Sequence, residues 1–124
     1  MHEMSIARSL VVQVIDLTRD QPGQSLSSVR VRVGELAGVE PQLLLAACEM
    51  LAEESAIANT RWEILSQPLL ASCELCGETI EIRGFCFACN HCGSTSVRVT
   101  SGDAVILEQI TMVAMQAAAE DRER

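Results

Sequence analysis

Cys73-Glu74-Leu75-Cys76-Gly77 and Cys89-Asn90-His91-Cys92-Gly93 repeat one short pattern, C-x-x-C-G, with twelve residues between Cys76 and Cys89. A two-residue gap lets both sulfurs of a tight turn reach one ion. The glycine that follows can take the backbone conformation that aims amides at the thiolates. Two such turns predict a tetrahedral Zn²⁺ held by Cys73, Cys76, Cys89 and Cys92, closed on every side and therefore structural. Binding at such a site is folding free energy, on the order of 10–16 kcal/mol in small peptides. Cys86 also makes a C-x-x-C pair with Cys89 and stands as the alternative fourth ligand, although Gly93-Ser94 favours pairing Cys89 with Cys92. C-x-x-C is a disulfide-exchange motif as well. Thiolates committed to one ion are not free nucleophiles, however, and the βαβ setting of that chemistry is not expected here.

Working outward, Ser72 to about Thr95 is cysteine, glycine and small polar residues, which predicts a metal-stapled insertion without a core of its own. The flanks are patterned differently. Ser5 is the predicted cap of a helix reaching Arg19, with Ile6, Leu10, Val14 and Leu17 as its buried stripe. Asp20-Gln21-Pro22-Gly23 ends it. Leu26–Val33 alternates Val29, Val31 and Val33 with Ser28, Arg30 and Arg32, the pattern of a half-buried strand. Gly34 to Glu40 forms a loop, and Pro41 opens a second helix to about Glu54 with Leu44, Leu45, Cys48 and Leu51 facing inward. Thr60–Ser66 reads as a strand with Trp62, Ile64 and Leu65 toward the core. Val97–Thr100 is strand-like, and Asp103–Met112 returns to the main sheet through Val105, Leu107 and Ile110. Gln116 to Arg124 is a frayed or disordered tail. The expected fold is α+β: two helices on a small mixed or antiparallel three-stranded sheet, carrying an inserted zinc-ribbon-like four-cysteine module. Residues 1–70 with 101–115 would form the main domain, 71–100 the zinc module and 116–124 the tail.

The composition narrows the functional classes. Of 124 residues, 48% are hydrophobic and 21% charged, as in an ordinary soluble domain. Nine basic against seventeen acidic residues leave a net charge of −8, which argues against a phosphate-binding surface. Trp62, Phe85 and Phe87 are the only aromatics besides histidine, too few for base stacking. No nucleic acid and no membrane partner is expected. The apolar runs Leu43–Cys48 and Ala104–Leu107 are too short to span a bilayer, and the start lacks the form of a signal peptide. A cytoplasmic location follows, where six cysteines are metal ligands or buried thiols and not bridges. Cys48, on the inner face of the second helix, reads as a small buried hydrophobe.

The start of the chain carries a second metal signal. Met1-His2-Glu3 offers a free amine, an adjacent amide nitrogen and an imidazole, which can close five- and six-membered rings around one ion. Such a nitrogen set suits Ni²⁺ or Cu²⁺ in a square-planar or tetragonal field. A bulky second residue protects Met1 from removal.

Met1-His2-Glu3, Val33-Gly34-Glu35-Leu36 after the first strand, Glu40 ahead of the second helix and the knuckle ending in Cys92-Gly93-Ser94 occur here in one order. Together they resemble the HypA/HybF family, nickel metallochaperones of [NiFe]-hydrogenase maturation, over essentially the whole chain. Cys86 and the Phe87-Ala88 pair depart from the family pattern. The resemblance implies a carrier and not an enzyme, with structural Zn(II) and with Ni(II) as transferred cargo. It implies nickel binding by Met1 (amine), His2 (imidazole and amide) and Glu3 (backbone amide). Glu40 would ligate nickel or orient His2, and His91 would complete the nickel set. Implied partners are the GTPase HypB and the hydrogenase large-subunit precursor; a homodimer and a urease target stay open. The competing reading is a zinc-stabilised protein–protein adaptor that transfers no nickel.

Overall fold

Eight elements follow one another: α1 (Glu3–Thr18), β1 (Gln24–Gly34), α2 (Pro41–Glu53), β2 (Arg61–Gln67), β3 (Leu70–Cys73), β4 (Thr79–Glu81), β5 (Val97–Ser101) and β6 (Val105–Ala114). This computed structural model describes residues 2–114, so Met1 and the tail expected from Gln116 lie outside the described residues. The chain forms two units. Among the described residues, one comprises 2–31, 39–64 and 107–114, the other Arg32–Gly38 and Leu65–Ile106.

In the first unit α1 packs on α2. The start of α1 corrects the sequence reading: His2 is the N-cap, with no side-chain cap bond, and Ser5 lies inside the first turn. The His2 carbonyl accepts the Ile6 N–H at 3.2 Å. The buried face is also rotated from the one expected. Ala7, Leu10, Val11 and Val14 are buried, Ile6 is half-buried and Leu17 is 59% exposed. At about 100° per residue, Ile6 and Leu17 fall on the flank of a face centred between Leu10 and Val11. Glu3 falls on that same face. On α2, Leu44 and Cys48 are buried as expected, whereas Leu45 and Leu51 are half-buried and the small residues Ala47 and Ala52 take the inner positions.

The main sheet has the order β2-β1-β6. Arg30 bonds Glu63 and Arg32 bonds the Ser66 carbonyl, so β1 and β2 numbers rise together, as in parallel neighbours. Arg30 bonds Gln109 while Gly34 bonds Ala104 and Leu36 bonds Gly102, so β1 and β6 numbers oppose, as in an antiparallel ladder. The sheet is therefore mixed. It also corrects one sequence expectation, since β1, α2 and β2 do form a βαβ unit; the cysteine pairs lie outside it.

The second unit holds an antiparallel sheet, β4-β3-β5, with Ala71 opposite Ile80 and Val99. The expectation of an insertion without its own core is wrong. Leu69, Ala71, Cys73, Ile80, Ile82 and Cys89 form a buried cluster, with Val97 and Val99 packed against it. Two glycines fix the backbone nearby. A Cβ on Gly34 would lie 2.2 Å from the Gly102 oxygen, and one on Gly102 would lie 2.5 Å from the Pro68 oxygen. Only glycine allows these main chains to approach so closely. No helix among the described residues is long and apolar enough to cross a membrane.

Candidate metal centre

The Cys73 knuckle leaves the end of β3, and the Cys89 knuckle precedes β5. In each, the glycine N–H bonds back to the carbonyl of the first cysteine, Gly77 to Cys73 at 2.9 Å and Gly93 to Cys89 at 2.7 Å. Both glycines are left-handed, with φ 80° and 82°, a conformation that Cβ-bearing residues rarely take. Amides then reach the sulfurs. The Cys76 N–H donates to Cys73 Sγ at 3.5 Å, and the His91 N–H donates to Cys89 Sγ at 3.4 Å.

All four sulfurs lie within 4.8 Å of one another. Cys73 and Cys92 sulfurs are 3.6 Å apart, and Cys76 and Cys89 sulfurs 3.7 Å apart. Tetrahedral coordination at a zinc–sulfur distance of about 2.3 Å requires sulfurs roughly 3.8 Å apart, so the donor set fits a four-thiolate metal centre. None of the six cysteines is in a disulfide. The protonation pattern shows why a cation belongs there. The Cys76 N–H, with a second amide from Leu75, draws the Cys73 thiol down to about 6. Cys76 feels the Glu78 N–H, which lowers it, but partial desolvation and its sulfur neighbours push it up to about 12. Cys92 is lowered by the Ser94 N–H, yet is raised overall by Cys73, desolvation and Cys89. Four sulfurs this close cannot all carry charge unless an ion shares it.

The centre has a closed and an open side. Cys73 and Cys89 are each 2% exposed and belong to the apolar cluster. Cys76 and Cys92 are exposed and line an open groove with Leu75, Gly93, Ser94 and Thr95. Cys86 is exposed and outside the group of four sulfurs. His91 is exposed on its knuckle. Cys48 is fully buried, and burial, with Glu49 adding to it, raises its thiol to about 12.

At the amino end, His2 is half-buried and Glu3 opens α1. Glu3 Oε2 accepts the Glu40 backbone N–H at 2.9 Å. That bond is the main reason the Glu3 carboxyl lies below its ordinary value of 4.5. Glu40 is the N-cap of α2, and its Oε1 accepts the Leu43 N–H at 3.2 Å. An apolar groove lined by Met4, Leu43, Ala46, Ala47 and Met50 adjoins Glu3. The sequence reading named Glu3 for its amide and missed its carboxylate. The only signal was its helical spacing from Ala7, Leu10 and Val14.

A family model described as hydrogenase/urease nickel incorporation, metallochaperone, HypA, matches residues 1–112. The hydrogenase maturation factor HypA of Nitrosospira multiformis is 33% identical over 113 residues, covering 91% of this chain and 98% of that protein. The HypA of Chlorobaculum tepidum is 33% identical over 113 residues, covering 90% and 99%. Among solved structures, the Ni metallochaperone HypA of Helicobacter pylori has the same fold, with TM-score 0.67 at 24% identity over 92% of this chain and 99% of that one. With a family match spanning both the amino end and the four-cysteine centre, this chain belongs to the HypA family of nickel-incorporation metallochaperones.

Proposed function

We propose that this chain binds Ni²⁺ through the Met1 amine, the His2 amide and imidazole and the Glu3 amide, and delivers it during [NiFe]-hydrogenase maturation. Zn²⁺ on Cys73, Cys76, Cys89 and Cys92 holds the second unit folded and makes no chemical step. Nickel is cargo, released by ligand exchange, with no substrate bond made or broken. The recipient is the hydrogenase large-subunit precursor, and the GTPase HypB is the partner in the transfer.

The observation that supports this reading is the bond from the Glu40 N–H to the Glu3 carboxylate, which ties the first turn of α1 to the N-cap of α2. The first amides of a helix have no intrahelical acceptor. Nickel can therefore displace the His2 and Glu3 amide protons without breaking a helix bond. Deprotonated amides are also anions at the positive end of the helix dipole, where negative charge is favoured. Glu40 acts here as a positioning residue, since its carboxylate caps α2 while its N–H holds Glu3.

Amine and imidazole bind only when deprotonated, and titrate at about 8 and about 6.5 in unstructured peptides, so uptake weakens as pH falls through neutrality. The test compares nickel absorption spectra of protein with its native first residue and protein carrying one extra residue before Met1. The extension turns the amine into an amide. The native protein alone should develop the ligand-field band of nitrogen-bound nickel; the same band in both would refute the donor set.

A further inference from the structure

Two carboxylates stand at the amino end of the first unit, and each already accepts a main-chain N–H. Glu3 Oε2 takes the Glu40 N–H at 2.9 Å, and Glu40 Oε1 takes the Leu43 N–H at 3.2 Å. The groove beside Glu3 supplies no other hard donor: Met4, Leu43, Ala46, Ala47 and Met50 line it, and their side chains hold no nitrogen or oxygen. Among the described residues, the four cysteines are the only group of three or more His, Cys, Asp or Glu with ligand atoms close enough to hold one ion. Glu3 is the first residue of α1, and helical side chains lean toward the helix start. Released from Glu40, its carboxylate would lean toward the proposed donor nitrogens, its own amide among them.

We infer, on the donor set proposed above, that the Glu40 main-chain N–H makes the amino-terminal site reject Zn²⁺ by holding the Glu3 carboxylate away from it. Zn²⁺ is a d¹⁰ ion with no geometric preference of its own, and its sites are built from thiolate, imidazole and carboxylate in a tetrahedron. An amine and one imidazole leave such an ion two ligands short. Ni²⁺ can displace amide protons and suits a square of nitrogens, so it does without the carboxylate. Withholding that oxygen therefore weakens zinc binding more than nickel binding. Cu²⁺ favours the same nitrogens and stands above Ni²⁺ in the general affinity order, so it is not rejected. The four-cysteine centre of the same chain fits zinc, and the cargo end is thereby kept from filling with the scaffold's metal. Glu40 touches no ion in this arrangement; it is a positioning residue that acts through Glu3.

The test uses the full chain with its native first residue and one zinc in the cysteine centre. It is titrated separately with Ni²⁺ and Zn²⁺, followed by calorimetry and by the nickel absorption spectrum. Glu3→Asp keeps a carboxylate but is shorter by one C–C bond, about 1.5 Å, and loses its reach to the Glu40 N–H. Glu3→Asn has the same size without the carboxylate. The ratio of zinc to nickel affinity should be about tenfold higher in Glu3→Asp than in Glu3→Asn, the scale of one hydrogen bond to a charged group. A second pair leaves Glu3 intact. Glu40→Pro removes the N–H where φ is −86°, close to proline's own angle, whereas Glu40→Ala keeps it. The same rise should separate Glu40→Pro from Glu40→Ala. An unchanged ratio in either pair, with circular dichroism as in the wild type, would overturn the inference, as would a wild type that takes a second zinc as tightly as nickel. A wild type without the band of nitrogen-bound nickel would instead overturn the donor set, and the inference with it.

Discussion

The Glu3 carboxylate accepts the backbone N–H of Glu40 at 2.9 Å, tying the first turn of α1 to the N-cap of α2. The contact follows from two faces meeting. Glu3 shares the inward face of α1, and Glu40 precedes a helix whose first amides have no intrahelical partner. The same residue that caps α2 with its side chain holds α1 with its main chain.

Replacing Glu3 by alanine should free the Glu40 amide, which would then exchange its hydrogen with solvent faster by hydrogen-exchange NMR. Nickel affinity should fall several-fold as the proposed donor nitrogens of the first turn lose their anchor, while bound zinc stays at one per chain. Unchanged Glu40 exchange in Glu3→Ala would show that the bond holds nothing in solution.

The same bond sets a pH dependence. Glu3 titrates below its ordinary 4.5 in the folded chain, chiefly because its carboxylate accepts the Glu40 N–H. Its stabilising contribution is therefore full above that ordinary value and is lost as pH falls through the lower folded value. The Glu40 amide shift, followed by NMR, should move with a midpoint below 4.5 in the wild type and should show no such step in Glu3→Ala.

Much of the fold was legible because its periods are long and clean. The alternating valines of β1, Pro41 at the head of α2 and the paired C-x-x-C-G turns each carry a local signal. Ser5 misled because it is a good cap residue two positions inside a helix that begins at Glu3 without a side-chain cap. The core of the second unit was hidden because Leu69, Ala71, Ile80 and Ile82 come in pairs too short to show a period. The Gly34–Gly102 approach and the Glu3–Glu40 bond join residues far apart in sequence, and no local pattern announces either.

Gly34→Ala should destabilise the chain by about 3 kcal/mol in urea unfolding, since its Cβ would sit 2.2 Å from a main-chain oxygen. Gly23→Ala has open space around it but a φ of +78°, and should lose only about 1 kcal/mol of stability. Equal losses would mean that the main chains at 34 and 102 move apart to admit the added Cβ at little cost.

Pulsed alkylation with N-ethylmaleimide, read by peptide mass spectrometry, should follow burial. Cys86 should react first without metal release, then Cys76 and Cys92 together with loss of the ion, then Cys73 and Cys89, with Cys48 last. A Cys86→Ser chain that keeps one zinc and a Cys92→Ala chain that loses it would agree with the four-sulfur centre. The reverse would make Cys86 a ligand.

The central claim is that nickel is held by the nitrogens at the head of the chain. Calorimetric titration of Ni²⁺ into zinc-loaded protein with a free Met1 amine, beside its His2→Gln variant, tests it most directly. One nickel should bind per wild-type chain and none measurably to His2→Gln, with the same zinc content in both. A variant that binds nickel with wild-type stoichiometry and affinity would contradict it.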